Sequence, residues 1–465
     1  MFTLLNRVCP LLLLIACASP TFGQDSELRH EPGYNGIWFT LGQFGEYGDK
    51  YSGGLGTYTA KHRPIALYSE KADKTFFTYG GSKDCERYLL IMVGAYDHAT
   101  GKVSRPLVVH DKNGVDDPHD NASIAMDDDG HLWIFVSGRG RSRPGFIYKS
   151  RNPHSIEGFE QVREAELTYP QPWWIAGKGF MHCFTKYTKG RELYWSTSPD
   201  GIIWSNDTRL AGMGGHYQAS ALRDDGMVAT AFNMHPGGTV DKRTNLYYVQ
   251  TNNMGKTWTT VTGETIKPPI TDKAHKSLIR DFQAEGRLVY MKDLDFDEAG
   301  NPVILIVTSS HHMPGPQGDP RTWMIVRWDG TQWIYHEVTN STHNYDMGQL
   351  WLESDELWRI YGPTEPGPQP WGAGGEVALW ESTDKGATWS KVKQLTCKSP
   401  LNHSYVRRPT NAHPDFFAFW ADGNTYTKSP SRLYFSNRAG DAVFQLPTEM
   451  NEDWETPVPM TWPCN

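Results

Sequence analysis

Residues 382–389 read STDKGATW, and this short stretch decides the fold. It matches the pattern S-x-D-x-G-x-T-W, the Asp box, in which the acid caps a tight turn, the glycine supplies a positive φ, and the tryptophan packs back under the hairpin. Residues 251–258, TNNMGKTW, are a second copy with asparagine in place of the acid, and residues 197–204, TSPDGIIW, are a degraded third copy. The copies indicate a fold that is built from repeated hairpins.

The rest of the chain is rich in residues that favour short strands and tight turns. Its 465 residues include 45 Gly, 30 Pro, 18 Trp, 22 Tyr and 19 Phe, and long helical periodicity is nearly absent. Short apolar or alternating runs recur between turn residues, at 75–79, 88–93, 132–136, 246–250, 303–308, 357–361 and 416–420. Asp-Gly pairs, which are typical of hairpin turns, stand at 129–130, 200–201, 225–226, 329–330 and 422–423. Many short strands predict a sandwich, a barrel or a propeller.

The repeated turn selects the propeller, because Asp boxes join the outer strands of blades in sialidase-like proteins. We therefore predict that residues 24–465 form a single all-β domain, a seven-bladed β-propeller of four-stranded antiparallel blades. About 440 residues over seven blades leave about 60 for each, enough for four strands and long loops. The run 33–39, GYNGIWF, is expected to add a strand to the last blade and close the ring.

The first 23 residues have the features of a signal peptide. Arg7 precedes an apolar run at 10–18 that is too short to span a bilayer, and small residues precede Gln24. Residues 14–17, LIAC, instead resemble a bacterial lipobox, which would leave Cys17 lipidated. We expect a periplasmic or extracellular protein, or an outer-membrane lipoprotein, without a transmembrane segment.

The charge of the chain narrows the choice of partner. A formal charge of -8 argues against nucleic acid and against an anionic membrane surface, since both bind basic faces. An anionic polysaccharide remains compatible, because a local basic cleft can exist on an acidic protein. We expect a monomer.

Four cysteines follow the signal peptide, and they carry no metal-binding spacing. They are Cys85, Cys183, Cys397 and Cys464. One or two disulfides fit an oxidising compartment, but the spacing fixes no pairing.

Polar residues that a plain hairpin does not need stand beside several predicted strands. Loops from several blades converge at one end of a propeller's channel, so such residues are candidates for the ligand site. The candidates for substrate binding are His62, Asn121, Arg141, His216, Tyr217, Asn233, His235, Arg243, His343, Asn344, Tyr345 and Arg407. Each could equally be a satisfied buried polar group or a turn cap.

Six stretches resemble the sialidase-repeat (BNR-type) propeller family that includes ulvan lyases, from about Gly33 to the C-terminus. They are HDNASIAMDDDGHLWIFVSGRGR, TYPQPWW, DKRTNLYY, HNYDMGQLW, PTEPGPQP and GGEVALWESTDKGATW. A group that cleaves rhamnose–glucuronate linkages is a more distant relative.

The resemblance implies roles for four residues. His119 matches the histidine and Tyr169 the tyrosine that serve as base and acid in such lyases, and Lys186 falls within one position of the cation that neutralises the uronate. A second active-site histidine is expected about twenty residues after the first, and this chain has Arg139 there. That departure puts the substrate in doubt and leaves the elimination chemistry possible.

The chemistry of β-elimination asks for the same residue types. The C5 proton of a 4-linked uronate is α to a carboxylate, so a cation beside that carboxylate is needed to stabilise the developing enolate. The candidate cations are Arg139, Arg141, Arg143, Lys186 and Arg407. A neutral histidine can accept the proton, and a tyrosine can donate to the leaving oxygen. No cofactor is required, although a structural calcium or zinc between blades is compatible with the abundant Asp and His.

Two alternatives remain open. A glycoside hydrolase of rhamnosidase or sialidase type would act on the same class of glycan, with His62 as a key residue of the former. The Arg-Ile-Pro motif of sialidases is absent, since residues 63–65 read RPI. A non-catalytic carbohydrate-binding propeller would need neither His119 nor Tyr169.

One hairpin is predicted to bring His119 and Arg139 together. In an extended strand they would lie too far apart to meet, at up to about 3.4 Å per residue. The turn at 129–130 folds 120–128 against 131–138, so both residues reach the same rim of one blade.

Overall fold

The computed structural model describes residues 28–464. The predicted signal peptide and Cys17 lie outside this range. Within it, the only helices are single 3-10 turns, at Lys83–Cys85, Pro118–Asp120, Pro236–Gly238, Val240–Lys242 and Pro316–Gly318. None of these could cross a membrane.

Seven sheets of four or more antiparallel strands follow one another along residues 28–464, and we number them in chain order. Sheet 1 contains Ala66–Ser69, Lys74–Ser82, Leu89–Asp97, Lys102–Ser104, Leu107–Asp111 and Trp454–Glu455. Sheet 2 contains Ala122–Met126, Leu132–Val136, Gly145–Ser150 and Phe159–Ala165. Sheet 3 contains Thr168–Ile175, Gly179–Tyr187, Arg191–Ser198 and Thr208–Ala211. Sheet 4 contains Gln218–Leu222, Val228–Met234, Thr244–Thr251, Trp258–Thr259, Thr265–Ile266 and Leu278–Arg280.

The last three sheets repeat the same order of strands. Sheet 5 contains Leu288–Phe296, Pro302–Ser309, Arg321–Trp328 and Trp333–Ser341. Sheet 6 contains Gln349–Ser354, Leu357–Glu365, Glu376–Ser382 and Ser390–Gln394. Sheet 7 contains Asn402–Arg407, Ala418–Gly423, Leu433–Ser436, Val443–Gln445 and Val458–Met460. The prediction of an all-β chain of four-stranded antiparallel sheets is confirmed.

The Asp boxes lie where the repeat predicts, between the third and fourth strands of sheets 3, 4 and 6. In the complete copy, Ser382 Oγ donates to Asp384 Oδ1 at 2.8 Å, and the same oxygen accepts from the Thr388 backbone N–H at 2.9 Å. Gly386 has φ +79°, and Trp389 Nε1 donates to its carbonyl at 3.1 Å. The motif therefore fixes a hairpin in which the tryptophan folds back under the turn.

Consecutive sheets are joined through their first strands. The first strands of sheets 2, 3, 4, 5 and 6 contact one another in chain order. Residue Leu67 of sheet 1 forms a parallel bridge with Thr410, which follows the first strand of sheet 7. The first strands are buried on both faces, and the large apolar side chains between sheets form the core. The starts of these strands therefore meet at one end of the structure.

Two details differ from the sequence-based expectations. The strand Gly36–Thr40 does not extend the last sheet; it forms a separate three-stranded sheet with Pro430–Ser431 and Ser52–Gly54. The pair at 422–423 is not a hairpin turn, because both residues belong to the strand Ala418–Gly423 and the chain turns only after it. The nearby sequence could not show either pairing, since the partners are remote in the chain.

The C-terminal segment spans the outer edges of two sheets. Trp454–Glu455 pairs with Lys102–Ser104 of sheet 1, and Val458–Met460 pairs with Val443–Gln445 of sheet 7. A disulfide joins Cys397 to Cys464, whereas Cys85 and Cys183 are free. The sequence did not fix which cysteines pair. In the structure, the disulfide attaches the C-terminal segment to the chain that follows the last strand of sheet 6.

Candidate functional site

The hairpin in sheet 2 brings His119 and Arg139 to one rim, as the sequence predicts. Ala122–Met126 pairs with Leu132–Val136, and Ala122 lies opposite Val136. The 3-10 turn Pro118–Asp120 precedes the first strand, and Asp117 caps it by accepting the His119 backbone N–H at 3.0 Å. Arg139 lies in the turn that follows the second strand.

Asp117 is the group that holds these two side chains together. Its carboxylate binds His119 Nδ1. Its other oxygen accepts from Arg139 Nη1 at 2.9 Å and from Arg143 Nη2 at 2.7 Å. Burial acts to raise the pKa of Asp117, but the hydrogen bonds from His119 and Arg143 and the charge of His119 outweigh it and hold the pKa below its usual range. A carboxylate oxygen only accepts, so the hydrogen of this bond is on Nδ1 of His119, and in the neutral imidazole Nε2 is then the acceptor.

A buried acid anchors the second arginine of this loop. Asp120 is fully buried and pairs with Lys112 Nζ at 2.9 Å and with Arg143 Nη2 at 2.7 Å. Arg143 therefore forms ion pairs with two carboxylates, those of Asp117 and Asp120. Arg139 has one carboxylate partner and 35% of its side chain exposed, so it is the more available cation.

Tyr169 lies opposite His119, at the start of the first strand of sheet 3. Its ring centroid is 5.7 Å from that of His119, 5.7 Å from that of His62 and 5.6 Å from that of Tyr217. Its φ of +54° is in the left-handed region, where a non-glycine residue costs of order 1–3 kcal/mol.

Tyr169 is a buried residue, only 3% exposed, and no hydrogen bond joins its hydroxyl to any of residues 28–464. Burial and the neighbouring Tyr217 and Tyr187 raise the pKa of Tyr169 well above its ordinary value, although Arg191 and Arg139 act in the opposite direction. The phenol therefore keeps its proton at neutral pH.

Arg191 completes the site, and it was not among the residues that the sequence singled out. It begins the third strand of sheet 3, directly opposite Tyr187. The guanidinium carbons of Arg191 and Arg139 lie 5.7 and 5.8 Å from the centroid of the Tyr187 ring. Nε of Arg191 is buried and has no partner among the described residues. Both arginines lie at the turn between a second and a third strand, and that shared position is the signal that could have found Arg191.

We call His119, Tyr169, Tyr187, Arg139 and Arg191 the central cluster. Lys186 lies outside it. Its Nζ is 3.0 Å from Asp207 Oδ2 and 3.8 Å from Glu166 Oε2, because successive strand residues point to opposite faces and Tyr187 takes the inner one. Arg141 is 93% exposed and lies 3.7 Å from the same Glu166.

A second group of aromatic residues adjoins the central cluster and surrounds Arg243. The guanidinium carbon of Arg243 is 4.6 Å from the ring centroid of Tyr290, 5.0 Å from that of Tyr217 and 5.2 Å from that of Tyr345. Its Nη2 donates to the Tyr51 hydroxyl at 3.3 Å. Arg243 forms no ion pair with a described carboxylate, and its Nε donates to the Val240 carbonyl at 2.9 Å.

Several other predicted binding residues hold the backbone around this site. His62 Nε2 lies 3.2 Å from the His119 carbonyl, and burial followed by Arg407 lowers the pKa of His62 to about 3. Asn121 Nδ2 donates to the carbonyls of Leu55 and Tyr58, both at 2.7 Å. The same type of side chain to backbone bond is formed by His216, Asn233, Asn344 and Arg407.

Three predicted residues remain, and two of them present unused polar atoms. Both ring nitrogens of His235 are buried without a described partner, and its ring lies 4.8 Å from that of Tyr217. The Tyr345 hydroxyl is also buried without one. His343 is buried, and its Nδ1 accepts from the Tyr345 backbone N–H at 3.1 Å.

A large cavity lies at the opposite ends of the first strands and does not include the central cluster. It has a volume of about 900 Å³, and Trp173, Arg223, Asp295, Trp351 and Arg408 are among its lining residues. Two of the arginines that line it already form ion pairs, Arg408 with Asp295 and Arg223 with Asp225, the latter at 2.7 Å. Size alone therefore does not make this cavity the reactive site.

Comparisons with known proteins agree with this architecture. A family model described as a BNR repeat-containing family member matches residues 75–341, more than half of the chain. No curated protein matches the sequence.

Two solved structures share the fold. A PL25 ulvan lyase, described as a new family of polysaccharide lyase and bound to -[GlcA(1-4)Rha3S]-, is 16% identical with a TM-score of 0.69, over 88% of this chain and 96% of that one. The polysaccharide lyase Uly1 is 12% identical with a TM-score of 0.59, over 88% of this chain and 99% of that one. On the family match, the chain belongs to the BNR repeat-containing family.

Proposed function

We propose that this protein is a polysaccharide lyase that cleaves a uronate-containing, ulvan-like polysaccharide of rhamnose and glucuronate by β-elimination. One observation carries the proposal. The imidazole that Asp117 orients has its ring centroid 5.7 Å from that of Tyr169, and two arginines lie beside the neighbouring Tyr187 ring. The fold shared with ulvan lyases supports it.

Arg139 and Arg191 neutralise the uronate carboxylate in this mechanism. Removing the C5 proton places negative charge on the carboxylate, and fixed cations stabilise that charge without reorganising. A guanidinium can grip a carboxylate through two hydrogen bonds. We assign the role to these two residues rather than to Lys186, because Lys186 lies on the strand face away from the central cluster, where its Nζ binds Asp207.

His119 and Tyr169 move the protons. Nε2 of His119 removes the C5 proton, the C5–C4 double bond forms, and the bond from C4 to the glycosidic oxygen breaks. The Tyr169 hydroxyl donates its proton to that leaving oxygen. Asp117 keeps Nδ1 protonated and stabilises the imidazolium, as the orienting carboxylate of a catalytic triad does. His119 then returns the proton to solvent and Tyr169 regains one.

The aromatic group around Arg243 forms a neighbouring subsite. Its unpaired guanidinium suits an anionic sugar, and the unused atoms of His235 and Tyr345 suit hydroxyl groups. Tyrosine rings supply apolar faces for sugars together with polar edges.

The seven sheets are proposed to be the blades of one closed propeller, a single domain that is secreted and acts as a monomer. The consecutive contacts of the first strands and the bridge between Leu67 and Thr410 support a closed ring. In that arrangement, the turns that carry Arg139, Arg191 and Arg243 all open at the same end of the channel.

The carboxylates of the site favour elimination over hydrolysis. Most glycosidases need two carboxyl groups that flank the scissile bond. Asp117 and Asp120 are bound to cations, and the Asp346 carboxylate accepts the backbone N–H groups of His343 and Gly374. Each of these three carboxylates is thus already bound by cations or by backbone N–H groups.

The experiment is to incubate the protein with ulvan and with other uronate polysaccharides and to follow two products. Elimination creates an unsaturated uronate that absorbs in the ultraviolet, and both elimination and hydrolysis create reducing ends. We expect absorbance and reducing ends to rise together, and His119→Ala to abolish both. Reducing ends without absorbance, or no product across the panel, would overturn the proposal.

A further inference from the structure

Two histidines and an aspartate meet at the seam between sheet 1 and sheet 7, at a place the proposed function does not use. His98 lies in the turn after Leu89–Asp97 of sheet 1. His413 and Asp415 lie in the loop between Asn402–Arg407 and Ala418–Gly423 of sheet 7. The two imidazole centroids are 3.7 Å apart, and one ligand atom from each of the three residues lies within 4.8 Å of the other two.

The two ring nitrogens of His98 differ in their hydrogen bonding: one has a partner and the other has none. Nε2 of His98 lies 2.9 Å from the hydroxyl of Thr75, which is fully buried. Nδ1 of His98 is buried and has no hydrogen-bond partner within residues 28–464. A buried nitrogen without a partner is costly, and metal-binding imidazoles have this arrangement, with the second nitrogen fixed by a neighbouring oxygen.

The loop that carries His413 is anchored to sheet 1. The Thr410 backbone N–H donates to the Ala66 carbonyl at 2.9 Å, and the Tyr68 backbone N–H donates to the Thr410 carbonyl at 2.9 Å. The Tyr68 ring centroid lies 5.2 Å from that of His98 and 4.9 Å from that of His413. The three groups are thus held by elements that are already fixed to each other.

We propose that His98, His413 and Asp415 bind one divalent transition metal ion, with Zn²⁺ as the best fit, and that the ion ties sheet 1 to sheet 7. Two imidazole nitrogens and one carboxylate oxygen form a donor set typical of zinc, with bonds of about 2.0–2.2 Å. The three donor atoms lie within 4.8 Å of one another, so they must move closer together to share one ion. Calcium fits poorly, because it takes 6–8 oxygen ligands.

The exposure of Asp415 leaves the fourth position of the ion to water. Its side chain is 64% exposed, so the metal can enter from solvent without opening the sheets. The ion stabilises the contact between sheet 1 and sheet 7 and takes no part in the elimination.

The test is zinc binding to the whole chain after treatment with a chelator, measured by equilibrium dialysis with elemental analysis. We expect one zinc per chain and an unfolding temperature that rises with zinc and not with calcium. His98→Ala, His413→Ala and Asp415→Asn should each weaken binding at least about 10-fold. Thr75→Val should weaken it about 10- to 100-fold, because it removes only the oxygen that orients His98.

His336→Ala is the matched control, since His336 lies on Trp333–Ser341 in sheet 5, and it should bind zinc as the unchanged protein does. Asp415→Asn alters an exposed side chain, so its circular dichroism should stay unchanged. No bound zinc at micromolar free metal, or one zinc that all four variants retain, would overturn the proposal. Elimination activity is a separate readout, and its absence would leave this result intact.

Discussion

Replacing Tyr169 with phenylalanine removes one hydroxyl group and little else. The hydroxyl forms no hydrogen bond with a described residue, and the ring contacts with His119, His62 and Tyr217 remain in the variant. The free energy of unfolding should therefore change by less than about 1 kcal/mol, since no hydrogen bond is lost. Turnover should fall by about 10²- to 10⁴-fold, which corresponds to about 3–5 kcal/mol of barrier, because the leaving oxygen loses its acid.

Tyr79→Phe is the matched control for this variant. Tyr79 is buried in sheet 1, and its hydroxyl likewise has no described partner. Urea unfolding should show the same small change for both variants, whereas the rise in ultraviolet absorbance should be normal for Tyr79→Phe alone. The reasoning is refuted if Tyr169→Phe keeps more than one tenth of the rate. It is equally refuted if the variant loses activity together with several kcal/mol of stability, since the role would then be structural.

Four further outcomes follow from the contacts. Asp117→Asn should lower turnover by about 10²- to 10⁴-fold, because the amide can present an N–H to His119 and favour the wrong tautomer; a normal rate in a folded variant would contradict this. Arg191→Ala should lower turnover by about 10²- to 10³-fold on free uronate and much less on the methyl ester, where no carboxylate needs neutralising; equal losses on both substrates would argue against the assigned role. Cys397→Ser opens a disulfide across a separation of 67 residues and should cost about 2–4 kcal/mol of unfolding free energy in denaturant titrations, with an unchanged midpoint as the contrary result. Burial lowers the pKa of several histidines to about 3, below the value of about 6.5 that a histidine has in the unfolded chain. The free energy of unfolding should therefore be highest above about pH 6.5 and should fall as the pH drops toward 3, by up to about 1.4 kcal/mol per pH unit for each histidine. Thermal melts across this range test the expectation, and a flat profile would contradict it. These histidines are His62, His182, His343 and His403.

The features that could be predicted from sequence are those that local interactions decide. The Asp box is closed by bonds between residues at most four positions apart, so STDKGATW predicts its own turn wherever it occurs. The meeting of His119 with Arg139 was also predictable, because one tight hairpin connects them.

The arrangement of the candidate site could be predicted only in part, for a related reason. His119 and Tyr169 were indicated by a resemblance, and the structure brings their rings together. Asp117 was missed as the group that orients His119, although it lies two residues before it, since an acid in a loop has no distinctive pattern. Lys186 and Tyr187 could not be told apart, because the face that a strand residue takes depends on which side of the sheet is inner.

The sequence by itself indicated the class of fold and most of the hairpin turns, and through a resemblance it pointed to the two residues proposed to move protons. Only the tertiary structure decided which cations stand beside them, which cysteines pair, and that His98 meets His413. These contacts join residues from different sheets, and local propensity carries no information about them. They arise because burying the faces of successive sheets fixes the relative positions of turns that are remote in the chain.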